Sequence, residues 1–269
     1  MKVQIAIPTY QRADTFAAKT YKLLQSSPPK LMKSVTLFLQ CQEDVEAYTS
    51  DFPELRIVEV RNVRGSWIVG FPETMYFMRK YYVNNFPGEP VLFLHDDVRY
   101  VYASSLEKAI RKLTLYELIK MMLPFAVKGA SLVGIHPVGG YGKNRYLNKC
   151  KISGGLVFIY DPVHMEVNPE ITKDMMCEAK SKCDYEFSLK AYDKGYKIRR
   201  LNSVFSSSRH NAFQNKAGGG IQDRKISTNL KDTKELRDRF PDYLKRWKTK
   251  KDGDTSPQFS RTLTTCEDK

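Results

Sequence analysis

The stretch Val91-Leu92-Phe93-Leu94-His95-Asp96-Asp97-Val98 ends a run of four apolar residues in an imidazole and two adjacent carboxylates. Neighbouring carboxylates repel, and a divalent cation or protonation of one acid relieves the repulsion. The chemistry on offer is a metal site for a phosphate-bearing ligand. The same acids would also cap a following element, and short acidic motifs recur by accident.

Other reactive side chains recur at the ends of apolar runs. Pro8-Thr9-Tyr10-Gln11-Arg12 follows the first run, Cys41 and Glu43 the second, and Arg64-Gly65-Ser66 the third. Hydroxyl, aromatic and guanidinium groups gathered with acids at one sheet edge make a nucleotide pocket: an aromatic stacks on the base and cations meet the phosphates. Further on, Asp184 stands where a helix N-cap belongs, two residues before Glu186. His210 lies in a loop after a strand, where a lone histidine is either structural or a ligand. Gly218-Gly219-Gly220, with Arg224 and Lys225 beyond, has the composition of a mobile loop.

The elements that must carry these residues alternate. Val3 to Ile7, Val35 to Leu39, Leu55 to Val60 and Val91 to Leu94 read as strands buried on both faces. Helical spacing separates them, from Asp14 (an N-cap) to Leu24, from Glu43 to Tyr48 and from Pro72 to Tyr82. Such a β-α-β series predicts an α/β fold with a Rossmann-type, mostly parallel central sheet flanked by helices. Ligands then bind beyond the carboxyl ends of the strands. Ser105 to Met122 is expected to be helical, and Ala130 to Ile135 and Ser153 to Tyr160 to be strands. Pro137 to Gly142 is expected to form a glycine-rich lip without a phosphate-loop signature. A helix from Asp184 to Gly195 leads into a strand toward Leu201. The expected division is 1–212 as the main domain, 213–251 as the glycine loop and basic helical region, and 252–269 as a polar, disordered tail.

Composition bounds the function. The 269 residues are 42% hydrophobic, which allows a sizeable core and excludes global disorder. The formal charge of +14 favours a polyanionic partner, although a soluble protein can simply be basic. Five cysteines without a C-x-x-C pair suggest neither a disulfide framework nor a zinc knuckle, and fit a reducing compartment. The N-terminus enters a strand pattern directly and no apolar run approaches membrane-spanning length, so a soluble cytoplasmic protein is expected, without membrane contact.

Ile5-Ala6-Ile7-Pro8-Thr9-Tyr10-Gln11-Arg12 resembles the opening strand and loop of GT-A type glycosyltransferases. Leu94-His95-Asp96-Asp97 matches their D-x-D region in position, with histidine in place of the first acid. Asp184-Tyr185-Glu186-Phe187-Ser188-Leu189-Lys190 is similar to their later acidic helix start, and His210 falls where many carry a second metal ligand. The four motifs occur in the family order over roughly residues 1–212. The resemblance implies a nucleotide-sugar donor, UDP-glucose or similar, and a Mn²⁺ or Mg²⁺ ion. Pro8, Thr9, Tyr10, Arg12 and Arg64 would then face the nucleotide and Asp96 its ribose. Asp97 and His210 would bind the metal, and Asp184 would be the general base with Glu186 as the fallback. Gly218, Gly219, Gly220, Arg224 and Lys225 would close over the donor phosphates or the acceptor.

The excess charge and the basic C-terminal stretch make DNA the favoured acceptor. The chain also resembles phage-type DNA-modifying glycosyltransferases, including the TET-associated group, which act on 5-hydroxymethylcytosine. If a phage encodes it, its place is the host cytoplasm. A glycan or protein acceptor, a non-catalytic basic nucleic-acid-binding module and a nucleotidyltransferase are the alternatives. Donor sugar, stereochemistry and oligomeric state are not encoded legibly.

Overall fold

A computed structural model of the chain describes residues 2–104, 109–128, 130–136, 157–160, 177–178, 183–206, 226–249 and 255–259. Four parallel strands form its first half: β1 (Gln4–Thr9), β2 (Val35–Leu39), β3 (Arg56–Glu59) and β4 (Val91–Leu94). They belong to a nine-stranded sheet with β5 (Val101–Ser104), β6 (Ile110–Leu113), β7 (Leu132–His136), β8 (Val157–Tyr160) and β9 (Ile198–Ser206), in the order β3-β2-β1-β4-β8-β7-β9-β5-β6. Beyond β4 the sheet is mixed. β8 runs antiparallel between β4 and β7, β7 and β9 are parallel, and β5 and β6 close the far edge antiparallel.

Alternation along the parallel strands explains the continuous apolar runs. Ile5 and Ile7 enter one core with Leu37, Leu92 and Leu94, while Ala6 enters the other with Phe38 and Phe93. Both faces of β1, β2 and β4 are covered, so their side chains are mostly apolar, with Gln4, Thr9 and Thr36 as buried polar exceptions. β3, at the sheet edge, leaves Arg56 and Glu59 exposed. The first face is packed by residues 13–25, helical throughout with a π-turn at Ala17–Tyr21, and by α-helical Leu115–Val127. The second is packed by helices Phe71–Asn85 and Cys183–Asp193, through Met75, Met78, Tyr82, Phe187 and Ala191.

Several boundaries differ from the sequence reading. Pro8 and Thr9 are the buried end of β1 rather than a loop, with Pro8 opposite Phe38 of β2. Pairing of β1 with β4 covers Gln4 to Ala6, so the missing N–H of Pro8 falls where the β4 ladder has already ended. The helix expected from Asp14 begins at Ala13, and Asp14 lies in its first turn with no capping hydrogen bond. An acid there still opposes the helix dipole favourably. Residues 105–122 are not one helix. β5 and β6 form a hairpin, and the helix starts only at Leu115. Thr114 and Glu117 form a reciprocal capping box that fixes this start.

The basic C-terminal region forms helix Ile226–Arg239 and an antiparallel ribbon of β10 (Leu244–Thr249) and β11 (Thr255–Phe259). β11 lies in the stretch expected to be disordered. Leu236 and Leu244 pack with Leu189 of helix Cys183–Asp193, so the region has an apolar seam of its own on the sheet domain. No helix among the described residues is long and apolar enough to cross a membrane.

Candidate functional site

The buried polar cluster of the first half sits beyond the carboxyl ends of β1 and β4. Thr9, the last residue of β1, donates its hydroxyl to Asp96 Oδ2 at 3.0 Å. The Arg12 guanidinium reaches Asp96 Oδ1 at 3.2 Å and Asp97 Oδ2 at 3.5 Å. Asp96 and Asp97 are only 4% and 2% exposed, although they directly follow a strand end. Burial raises the Asp96 carboxyl above the ordinary range, to about 6, and the neighbouring Asp97 charge adds to it. Arg12 and Thr9 act in the opposite sense.

The chain is shaped to hold this pair. Gln11, between Tyr10 and Arg12, adopts a φ of +52°, unusual for a residue with a side chain. Its N–H donates to Asp44 Oδ2 at 2.8 Å, which pins the turn that swings Arg12 back over the acids. Tyr48 contacts Thr9 Oγ1 at 2.7 Å, and Gln40 donates to the Thr9 carbonyl at 3.3 Å. Below the acids, the Thr20 hydroxyl donates to the His95 carbonyl at 2.8 Å and accepts from the Val98 N–H at 3.0 Å. His95 lies against Phe71 with ring centroids 5.1 Å apart. Gln40 Oε1 accepts from the Gly70 N–H at 3.1 Å. Gly70 has a φ of +126°, a backbone conformation that residues with a side chain rarely adopt, so glycine is favoured at this helix start.

Asp44, Tyr48, Gln40 and Thr20 were missed in the sequence reading. Asp44 and Tyr48 had a usable signal: four residues apart on the helix Gln42–Asp51, they share a face beside the flagged Cys41 and Glu43. Burial pushes the Cys41 thiol up to about 12, which argues against a reactive thiolate.

Of the sequence-selected residues, Thr9, Arg12, Asp96 and Asp97 are brought into contact. Pro8 is buried behind Thr9, and Tyr10 is half-buried at the turn. Arg64 is exposed in a tight loop after β3, where the Asn62 side chain accepts from the N–H groups of Arg64 and Ser66. β2 separates β3 from β1, so the strand that leads to the Arg64 loop is two strands away from the one that ends in Thr9.

β8 reverses β4 and β7 reverses β8, so β7 and β9 point the same way as β4. Helix Cys183–Asp193 packs on the second face of the sheet through Phe187 and Ala191 and turns through Gly195 toward β9, which starts at Ile198. The helix begins at Cys183, so Asp184 is in its first turn rather than before it. Glu186 is different: it is fully buried, and its carboxylate meets Arg239 at 2.7 Å, Lys190 at 3.3 Å and the N–H of Glu178 at 2.8 Å. β9 ends at Ser206 on the rim where β4 ends, four residues before His210. His210, Gly218, Gly219, Gly220, Arg224 and Lys225 lie outside the described residues.

Among the described residues no three His, Cys, Asp or Glu side chains gather closely enough to hold a metal ion. The donor chemistry nevertheless suits a hard divalent cation: two adjacent buried carboxylates, one with its pKa raised by burial and, secondarily, by the charge of the other.

No protein-family model matches the chain, and no curated protein matches its sequence. Solved structures do match. TarS 1-349 of S. aureus in complex with UDP-GlcNAc superposes with a TM-score of 0.51 at 16% identity, over 88% of this chain and 67% of that one. The mannosyltransferase PcManGT of Pyrobaculum calidifontis, in complex with GDP-Man and Mn²⁺, gives 0.51 at 14% identity, over 89% and 63%. The chain spans 60% of TarS 1-349 as crystallised without a ligand. At these identities the likeness defines the fold, which is that of the GT-A glycosyltransferases.

Proposed function

We propose that the chain is a metal-dependent glycosyltransferase that moves a sugar from a nucleotide-sugar donor, UDP-glucose or a close analogue, to 5-hydroxymethylcytosine in DNA. The supporting observation is the buried Thr9–Asp96–Arg12–Asp97 cluster at the ends of β1 and β4, in a fold shared with proteins that bind UDP-GlcNAc or GDP-Man. Residues 1–212 are assigned the chemistry.

Breaking a sugar–diphosphate bond builds negative charge on the leaving group, and a bound Mn²⁺ or Mg²⁺ supplies the neutralisation. Asp97 and His210 would hold it. Asp96, oriented by Thr9 and Arg12, accepts from the ribose hydroxyls; Pro8, Thr9, Tyr10, Arg12 and Arg64 line the nucleotide side. Asp184 takes the acceptor hydroxyl proton. The pairing of Glu186 with Arg239 and Lys190 favours Asp184 over it in that role. Gly218, Gly219, Gly220, Arg224 and Lys225 cover the donor phosphates. The formal charge of +14 supports a polyanionic acceptor.

Incubation with Mn²⁺, a panel of nucleotide sugars and hydroxymethylcytosine-containing DNA, followed by mass spectrometry of the nucleosides, tests the reading. A hexose or pentose adduct on the modified base, lost in Asp97→Ala, is the expected result. Nucleoside diphosphate release with no DNA adduct moves the acceptor to a glycan or protein. DNA retention without any turnover of nucleotide sugar leaves a binding module.

A further inference from the structure

The far edge of the sheet carries aromatic and cationic side chains that the donor chemistry does not use. β5 pairs with β9 on one side and β6 on the other, and Tyr102 stands opposite Phe205 and Lys112 at once. The rings of Tyr102 and Phe205 are stacked, 5.6 Å between centroids at 26°. Tyr100 adds a third ring 6.1 Å from Tyr102. Lys112 Nζ lies 3.9 Å from the Tyr100 centroid and the Arg99 guanidinium 5.0 Å from it. The alternate residues Val101, Ala103 and Val204 are buried in the first core, so one face of this edge is core and the other is the aromatic row. Tyr100, Tyr102 and Phe205 are half-buried, and Arg99 and Lys112 are exposed.

We infer that this row is a platform for nucleic-acid bases, on which unpaired bases of the acceptor strand stack while Arg99 and Lys112 meet its phosphates. Three aromatic rings in series with flanking cations are the pattern of single-strand binding surfaces, because every base has a π-face and every linkage a negative charge. Position gives the platform its use. Tyr100 follows Asp97 by three residues, so their Cα atoms are at most about 11 Å apart. Phe205 is next to last in β9, on the rim to which β4 delivers the acids. A base beside the acid pair would have its neighbours on the row, and a base taken out of a duplex needs such support for the flanking strand. The occupant is a nucleic acid rather than a neutral glycan because of the two cations and the +14 charge of the chain. The assignment deepens, and rests on, the DNA acceptor of the proposed function.

The test is fluorescence anisotropy of the full chain with a fluorescein-labelled single-stranded oligothymidylate of about twelve nucleotides, across a salt series. Tyr102→Ala is expected to weaken binding about tenfold or more at fixed salt, the scale of one lost stacking contact. Lys112→Gln is expected to weaken it less and to reduce the salt slope by about 1. Tyr102→Leu keeps apolar bulk while removing the π-face, and decides the matter should the alanine variant fold poorly. Unchanged affinity in Tyr102→Leu overturns the platform. Preferential, Tyr102-dependent binding of a neutral glucan also overturns it. Calorimetry of the wild type with UDP-glucose and Mn²⁺ reports separately on the transferase reading. Donor binding without DNA binding sinks the platform alone, and Tyr102-dependent DNA binding without donor binding sinks the transferase alone.

Discussion

Asp96 and Asp97 share the guanidinium of Arg12, whereas Glu186, no more exposed than they are, is met by both Arg239 and Lys190. Both groups are buried acids with cations, yet they are built for different ends. In the first, two negative charges are crowded together and one carboxyl is pushed above its ordinary range. That is a poor arrangement for stability and a useful one for binding a further cation. In the second, the acid joins elements far apart in the chain, 53 residues separating Glu186 from Arg239. On the proposed reading, the first group is strained in a way a bound cation would relieve, while the second is satisfied by the protein's own cations.

The largest expected effect breaks the first group. Asp97→Ala is expected to lower nucleotide-sugar turnover by at least about a hundredfold, because charge on the leaving diphosphate loses its partner. Its melting temperature should not fall, since the substitution removes one of two repelling charges. A marked loss of Tm with turnover intact would place Asp97 with Glu186, among the architectural acids.

The second group breaks in the opposite way. Arg239→Ala takes the nearest cation from a fully buried carboxylate and is expected to cost about 3 kcal/mol, the lower end for a broken buried pair because Lys190 remains. Denaturant unfolding measures it. Replacing Glu186 and Arg239 together by Leu and Met should recover much of the loss, since a buried ion pair contributes little beyond its own satisfaction.

Proton uptake sharpens the contrast further. A carboxyl whose folded pKa lies above its unfolded value lowers stability while ionised. For Asp96 this penalty is full above about 6 and fades as pH falls from there toward 3.8. In chelator, Tm should therefore rise as pH is lowered from neutrality toward 5, with roughly 1 kcal/mol recovered by pH 5 and the rest only as pH approaches 3.8. Asp96→Asn should flatten the rise, and saturating Mn²⁺ should suppress it. No such rise in the wild type would mean that the pair is already neutralised.

The same contrast governs what the sequence makes legible. β1, β2 and β4 are readable because burial on both faces forces unbroken apolar runs, and Thr9, Arg12, Asp96 and Asp97 stand out at their ends. The helical spacing of Asp44 and Tyr48 puts them on one face, but their contacts with Gln11 and Thr9 emerge only when β2 is laid beside β1, Asp44 lying 33 positions after Gln11. The β5–β6 hairpin is hidden because Ile110, Leu113 and Leu118 imitate helical spacing, although Thr114 and Glu117 spell out where the helix begins. The ion pair of Glu186, the fallback candidate for the base, is not legible because its partner Arg239 lies inside a run of charges that resembles a solvated helix.

The smallest effect asks what else docks the C-terminal region. Tyr243 donates its hydroxyl to Asp193 at 3.0 Å, at an exposed position. Partial burial, and after it the hydrogen bond to Asp193, raise the phenol pKa, so the proton stays on the donor. An exposed hydrogen bond of this kind trades against water, and Tyr243→Phe is expected to cost no more than about 0.5 kcal/mol. Leu236, by contrast, is fully buried against Leu189 and Leu244, and Leu236→Ala is expected to cost about 2 to 4 kcal/mol. If the two substitutions instead cost the same, the apolar seam is not what seats the region, and the Glu186–Arg239 pair carries the docking alone. If they differ as expected, the pair sits inside an interface already closed by leucines. Its burial is then a consequence of that closure, which is why it must be satisfied so fully.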